Sequence, residues 1–182
     1  IIYDAMRNID TSHIRNNTEF EIVLLEKVCL KIEEYVTKLE PSFVYISFDG
    51  VAPVAKLEQQ RQRRYKSGFI RHIEQEIRNE IKNQNKKMFS WNQTAITPGT
   101  EFMTSLDEYV KNYFKFPVKF GCNTIIVDGS ENFGEGEHKI FSYIRNHETI
   151  HKETNTLVYG LDADLIMLCL NHQNISNKIN LF

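Results

Sequence analysis

Asp49, Glu135, Glu137, Asp162 and Asp164 are five carboxylates in three short groups, each placed where the chain changes from strand to turn or helix. Carboxylates gathered without cations repel one another and hold their protons more tightly. Hard divalent ions with oxygen ligands remove that cost, and two such ions about 4 Å apart activate a water and stabilise the leaving oxygen of a phosphodiester. The chemistry these residues suggest is therefore metal-dependent phosphodiester hydrolysis, with Mg²⁺ as the ion and Mn²⁺ as its substitute.

Spacing decides whether the carboxylates can meet. In extended chain, residues two apart point to one side, so Asp162 and Asp164 can address a common object there. Glu135 and Glu137 converge only where the chain is not yet helical, and Gly134 and Gly136 permit such backbone angles. Each group has an ordinary alternative, because Asp49-Gly50 is a common turn pair and a glutamate near a helix N-terminus is favoured by the dipole. Their joint position at one sheet edge is what favours a site. Asp128 stands in another Asp-Gly pair, where the turn is the better explanation.

A second chemistry lies just downstream of Asp49. Lys56, Arg61, Arg63, Arg64 and Lys66 are opposed only by Glu58 in that stretch, although the whole chain has 22 Lys+Arg against 24 Asp+Glu. At about 100° per residue, Lys56, Gln60, Arg63 and Arg64 fall within an arc of about 100°. Guanidinium forks grip phosphate oxygens in pairs, so this face suits a terminal phosphate. A solvated polar face is the alternative, and the nearness of Asp49 favours the phosphate. Tyr3, Trp91 and His138 could stack on bases, though core packing is the commoner use of an aromatic.

The elements that must position these groups follow from the hydrophobic periods. Phe20, Leu24, Leu25, Val28, Ile32, Tyr35, Val36 and Leu39 recur at helical spacing until Pro41. Phe43 to Phe48 reads as a buried strand ending in Asp49-Gly50. A long polar helix covers about Ala55 to Lys82, with Tyr65, Phe69, Ile73, Ile77 and Ile81 every four residues as its packing face. A loop over 83–93 and a turn at Thr97-Pro98-Gly99-Thr100 lead into a helix through Phe102, Leu106, Tyr109, Val110 and Tyr113. Strand Thr124 to Val127, helix Glu137 to Asn146, strand Leu157 to Tyr159 and a last helix after Asp164 complete the pattern. The opening Ile1-Ile2 reads as the middle of a strand. Strands separated by helices predict an α/β fold: a mostly parallel sheet with helices on both faces and functional residues at its carboxyl edge.

With 182 residues and 41% hydrophobic composition the chain can bury one core, which excludes disorder and coiled coil. A net charge of −2 means that any polyanion must bind a local patch. Cys29, Cys122 and Cys169 are odd in number and widely spaced, so neither a disulfide framework nor a structural zinc site is suggested, and a reducing compartment is expected. No run is apolar and long enough to span a membrane, and IIYDAMRNID has no secretory leader pattern.

Four segments together carry a family resemblance: FDGVAPVAKLEQQRQRRYKS (Phe48 to Ser67), ITPGTEFM (Ile96 to Met103), FGEGEHKI (Phe133 to Ile140) and YGLDADLIMLCL (Tyr159 to Leu170). In this order they resemble the N-terminal nuclease region of the XRN family of 5′→3′ exoribonucleases. The resemblance implies a PIN/flap-nuclease-like core and a Mg²⁺-dependent enzyme that removes mononucleotides from single-stranded RNA bearing a 5′-monophosphate, in the cytoplasm or the nucleus. It implies metal-site roles for Asp49, Glu135, Glu137, Asp162 and Asp164, and 5′-phosphate contacts for Lys56, Gln60, Arg63 and Arg64. Tyr3 stands where the family usually has a base-stacking His, Phe133 where it has Pro, and Val54 where it has Arg. The resemblance also implies that residues 1–182 are a partial catalytic domain, starting after a first acidic ligand and stopping before another and before bracing C-terminal segments, so that the fragment alone is expected to be inactive. A flap-endonuclease-like DNA nuclease and a catalytically silent RNA-binding module are the competing readings.

Overall fold

In the computed structural model, which describes residues 1–82, 89, 91–160 and 162–182, the chain starts with a helix rather than a strand. This is α1 (Ile2–Arg7), and its apolar residues Ile2, Ala5 and Met6 stand at helical spacing and pack into the core beside α2 (Asn17–Leu39). Asn16 caps α2 by accepting the Glu19 N–H, and Glu40 closes it in the left-handed region (φ 45°) just before Pro41. Its buried face of Phe20, Leu24, Val28, Ile32 and Val36 repeats every four residues.

Strand β1 (Phe43–Ser47) follows, then α3 (Val54–Lys82), α4 (Glu101–Tyr113) capped by Thr100, β2 (Thr124–Asp128), α5 (Gly136–Asn146), α6 (Glu148–Glu153), β3 (Thr156–Val158), α7 (Asp164–Asn171) and β4 (Ile179–Leu181). The sequence pattern does not anticipate α1, α6 or β4, which are only six, six and three residues long and too short for a repeated period. Most of the loop expected at 83–93, residues 83–88 and 90, lies outside the described residues.

The strands are parallel, as an α/β fold requires. Among the described residues, however, they form two separate pairs, β1 with β2 and β3 with β4, rather than one sheet. Helices cover both faces of the first pair. Val44, Ile46, Ile125 and Val127 face the core built from α2 and α4, while Phe43 and Tyr45 stack on Tyr143 of α5 at 5.4 and 4.7 Å. Phe141 and Ile144 of the same helix enter the second core with Val158, Leu165, Cys169 and Ile179. Helix α5 is thus the wall shared by both sheets, and its N-terminus carries Glu135 and Glu137. Tyr35 of α2 adds a second tie, its hydroxyl 2.8 Å from that of Tyr159 just after β3.

The long helix differs from expectation in its packing. Tyr65, Phe69, Ile73 and Ile77 are 77%, 56%, 37% and 48% exposed, so the apolar stripe does not bury itself against the described residues. A period of four reports a stripe but not what lies against it. The side chain of Ile81, the fifth position of that stripe, lies outside what the structure describes.

Candidate functional site

Parallel pairing brings both strand ends to one level, with Ser47 beside Asp128, and the Phe48 N–H donates to the Asp128 carbonyl at 2.9 Å. Beyond that edge two loops are joined by backbone: Gly50 N–H to Gly134 O at 2.8 Å and Gly134 N–H to Val51 O at 3.2 Å. Gly134 has φ +102°, which side-chain-bearing residues rarely adopt, and the next residue, Glu135, is extended at φ −76°, ψ 146°. Helix α5 then starts at Gly136. Its N–H donates to Asp49 Oδ1 at 2.7 Å, and a Cβ there would stand only 3.2 Å from that oxygen. The two glycines thus serve differently: one turns the chain, and the other lets Asp49 approach the helix end.

Because the chain is extended at Glu135 and helical from Gly136, the two glutamates converge. Ligand atoms of Glu135, Glu137 and His138 lie within 4.8 Å of one another. They open onto a polar cleft lined by Asp49, Lys56, Gln59, Gln60, Arg63, Glu135, Glu137 and Asp162. Its volume is about 120 Å³, well below the ~300 Å³ at which pockets for drug-sized organic ligands begin. Ions and a phosphate group suit such a space.

The cleft is electrostatically two-sided. Lys56 Nζ donates to Glu135 Oε2 at 2.7 Å, and this bond, assisted by Glu137 and Asp164, raises the Lys56 ammonium above its ordinary range against the opposing effect of burial. Glu137 has no such partner among the described bonds. Burial first, then the charges of Asp162 and Glu135, push its carboxyl above the usual range. A carboxylate cluster in that condition favours a divalent cation.

Seven residues singled out from sequence meet here: Asp49, Lys56, Gln60, Arg63, Glu135, Glu137 and Asp162. Two are placed apart from the lining. Asp164 is exposed at the start of α7, because Ala163 is already helical (φ −62°, ψ −28°) and the extended chain assumed for the Asp162/Asp164 pair is absent. Its N–H instead donates to Asp162 Oδ1 at 3.3 Å, although its charge still reaches Lys56. Arg64 is exposed too, and its guanidinium donates to Gln60 Oε1 at 3.5 Å. Gln59 takes its place in the lining. At about 100° per residue the face centred on Lys56 and Arg63 leaves Arg64 roughly a quarter-turn aside and brings Gln59 in.

The aromatic candidates divide. Trp91 is buried, donates to Glu21 Oε1 at 2.8 Å and packs on Phe20 and Phe102, so it belongs to the core and not to a stacking surface. Tyr3 is exposed on α1, and His138 is exposed with Nε2 3.8 Å from Glu135. Asp128 is engaged within the fold, as a turn residue would be. Tyr45 donates to it at 2.5 Å, Asn132 at 2.8 Å and Lys139 at 3.1 Å.

Sequence reasoning missed Lys139. It is 8% exposed, and its ammonium also donates to Phe48 O at 3.0 Å and Gly129 O at 2.7 Å, tying the ends of both strands to α5 directly behind Asp49. One signal was available: a lysine near the N-terminus of a helix opposes the dipole, so it must be engaged elsewhere.

Comparison with known proteins points to one family. The family described as "XRN 5'-3' exonuclease N-terminus" matches residues 1–180. The chain is 34% identical over 180 residues to 5'-3' exoribonuclease 1 of Saccharomyces cerevisiae, covering 93% of this chain and 12% of that protein. It is 37% identical over 144 residues to 5'-3' exoribonuclease 2 of Arabidopsis thaliana, covering 70% and 14% respectively. With 5'-3' exoribonuclease 1 of Homo sapiens it shares 39% identity over 137 residues, covering 69% and 8%. The chain therefore spans only a small part of the curated relatives it matches.

Proposed function

Because the chain belongs to the XRN 5'-3' exonuclease family, we propose that it is part of the catalytic domain of a metal-dependent 5′→3′ exoribonuclease acting on single-stranded RNA with a 5′-monophosphate. The observation that carries this reading is the single cleft in which carboxylates from three remote chain segments face Lys56, Gln60 and Arg63 on one helix. Asp49, Glu135, Glu137 and Asp162 would hold the divalent ions, Mg²⁺ with Mn²⁺ as a substitute, and Asp164 would act from the rim. Bound ions of that kind polarise a phosphodiester and activate water at neutral pH.

The chain's own residues do the rest. Lys56 and Arg63 bind the terminal phosphate, and the Gln60 amide fixes its orientation, so the first phosphodiester is presented at a set distance from the carboxylates. A monophosphate fits this polar slot, and a cap or triphosphate is excluded by size. Arg64 contributes charge from outside the lining, and Tyr3 offers an exposed ring for a base. No described helix is long and apolar enough to cross a membrane. We assign the activity to the cytoplasm, with the nucleus as the alternative, and infer that segments C-terminal to this region complete the enzyme.

Offering 5′-phosphate, 5′-hydroxyl and 5′-triphosphate forms of one RNA, and a 5′-flapped DNA, to the complete protein with Mg²⁺ tests this. Rapid loss of the 5′-phosphate form alone is expected. Equal degradation of all three RNAs overturns the phosphate pocket, cleavage of the flap supports a DNA nuclease, and RNA binding without turnover supports a silent module.

A further inference from the structure

Lys56 joins the two halves of the cleft. Its carbon chain leaves α3 on the cationic side, yet its ammonium rests on Glu135, a carboxylate of the ion side, at 2.7 Å. The side chains differ in freedom, with Lys56 43% exposed and Glu135 10% exposed. The carboxylate is therefore held in place, and the lysine, with a long flexible stem, is the partner that can move.

A divalent ion bound by Glu135 must approach a carboxylate that already carries the Lys56 ammonium 2.7 Å from Oε2, so the lysine's charge repels it. A phosphate held beside Gln60 and Arg63 needs the same ammonium. The ammonium has three N–H groups but one charge, which a phosphate draws away from the carboxylate, and a carboxylate relieved of its ammonium is a better ligand for a divalent ion. Resting on the function proposed above, we infer that Lys56 couples the two sites: a 5′-phosphate draws its ammonium off Glu135, so recognition of the RNA end and loading of the divalent ion strengthen each other.

Linkage then makes the coupling reciprocal, since whatever factor the phosphate adds to ion affinity, the ion adds to phosphate affinity. A strand without a 5′-phosphate leaves Lys56 on Glu135 and finds the ion site partly blocked. Selectivity for the 5′ end would accordingly act on the assembly of the catalytic centre as well as on RNA affinity.

Mn²⁺ binding to the complete protein, followed by the loss of the free-ion electron paramagnetic resonance signal, tests this without turnover. The titration is run with saturating adenosine 5′-monophosphate and again with adenosine. In the unaltered chain the monophosphate is expected to tighten Mn²⁺ binding by about fivefold or more. In Lys56→Gln, Mn²⁺ binds more tightly in adenosine than in the unaltered chain, and the monophosphate adds no further increase. If the increase persists in Lys56→Gln at saturating monophosphate, the ion and phosphate attract each other without the lysine and the inference is overturned. Independent binding of the two ligands in the unaltered chain overturns it as well but leaves the proposed function standing. Failure of the unaltered chain to bind Mn²⁺ at all removes both.

Discussion

Lys139 and Lys56 each hold a carboxylate at the same sheet edge, and they do so in opposite ways. Lys139 is buried and bonded to three oxygens, Asp128 Oδ1, Phe48 O and Gly129 O, while Asp128 is further satisfied by Tyr45 and Asn132. Every strong charge in that cluster has its partner inside the chain. Lys56 is partly exposed and bonded to one carboxylate, and neighbouring Glu137 and Asp162 face each other with like charge. The first cluster is complete without any ligand and serves as a strut. The second is a cleft whose electrostatics are completed from outside. Rigidity behind Asp49 and unsatisfied charge in front of it are complementary, because an ion site is selective only when its ligands are held still.

The comparison breaks most visibly at the open cleft. Glu137→Gln or Asp49→Asn is expected to lower turnover of 5′-phosphorylated RNA by about a thousandfold, the several kcal/mol that ion-assisted catalysis supplies. The melting temperature should hold or rise, since Glu137→Gln removes a half-buried like charge. A variant that unfolds instead would place the carboxylates in the strut class.

At the closed cluster the balance reverses. Lys139→Met leaves the half-buried Asp128 without its cation, and chemical denaturation should show a loss of about 3 kcal/mol, the lower end of the range for breaking a buried pair from one side. Adding Asp128→Asn should return part of it. Lys56→Met, which breaks a pair open to water on the lysine side (43% exposed), is expected to cost less, about 1 kcal/mol. Equal losses in the two single variants would erase the distinction.

A finer test compares two arginines on one helix. Arg63 lines the cleft and Arg64 does not, so Arg63→Gln should raise KM for 5′-phosphorylated RNA about tenfold, the worth of a charge-assisted hydrogen bond. Arg64→Gln should raise it by about twofold at most, as expected of a screened surface charge. Steady-state kinetics on 5′-phosphate and 5′-hydroxyl RNA separates the two.

The smallest effect is in pH. Burial alone would raise the Asp128 carboxyl, but hydrogen bonds from Tyr45, Asn132 and Lys139 outweigh it and leave it below the ordinary carboxylate range. Its contribution is therefore present above the unfolded-state value of about 4 and lost as pH falls through the lower folded-state value. Asp128→Asn should flatten the acid limb of a stability-against-pH curve and leave its neutral region parallel to that of the unaltered chain.

Much of this arrangement was legible from residue order alone. The strand ending in Asp49, the non-helical break at Glu135 and the cationic face of α3 are local properties, set by β-branched runs, by glycine and by an angle of about 100° per residue. The extended chain expected for the Asp162/Asp164 pair does not form, because one residue, Ala163, is already helical there, and helix boundaries are decided by neighbouring packing as much as by propensity. The apolar stripe of α3 was readable as a stripe, yet its exposure was not, because burial belongs to a pair of surfaces and sequence periodicity describes only one.

Sequence by itself determined which side chains carry charge, which short segments present them, and the α/β alternation that sends them to strand ends. Tertiary structure alone decided that the described strands pair two by two, that Lys139 is sealed among three oxygens, and that Lys56 rests on a glutamate 79 positions away. The reason is that local rules act over a turn of helix or a few residues of strand. The partner of a charge at a sheet edge depends on which distant segments arrive there together.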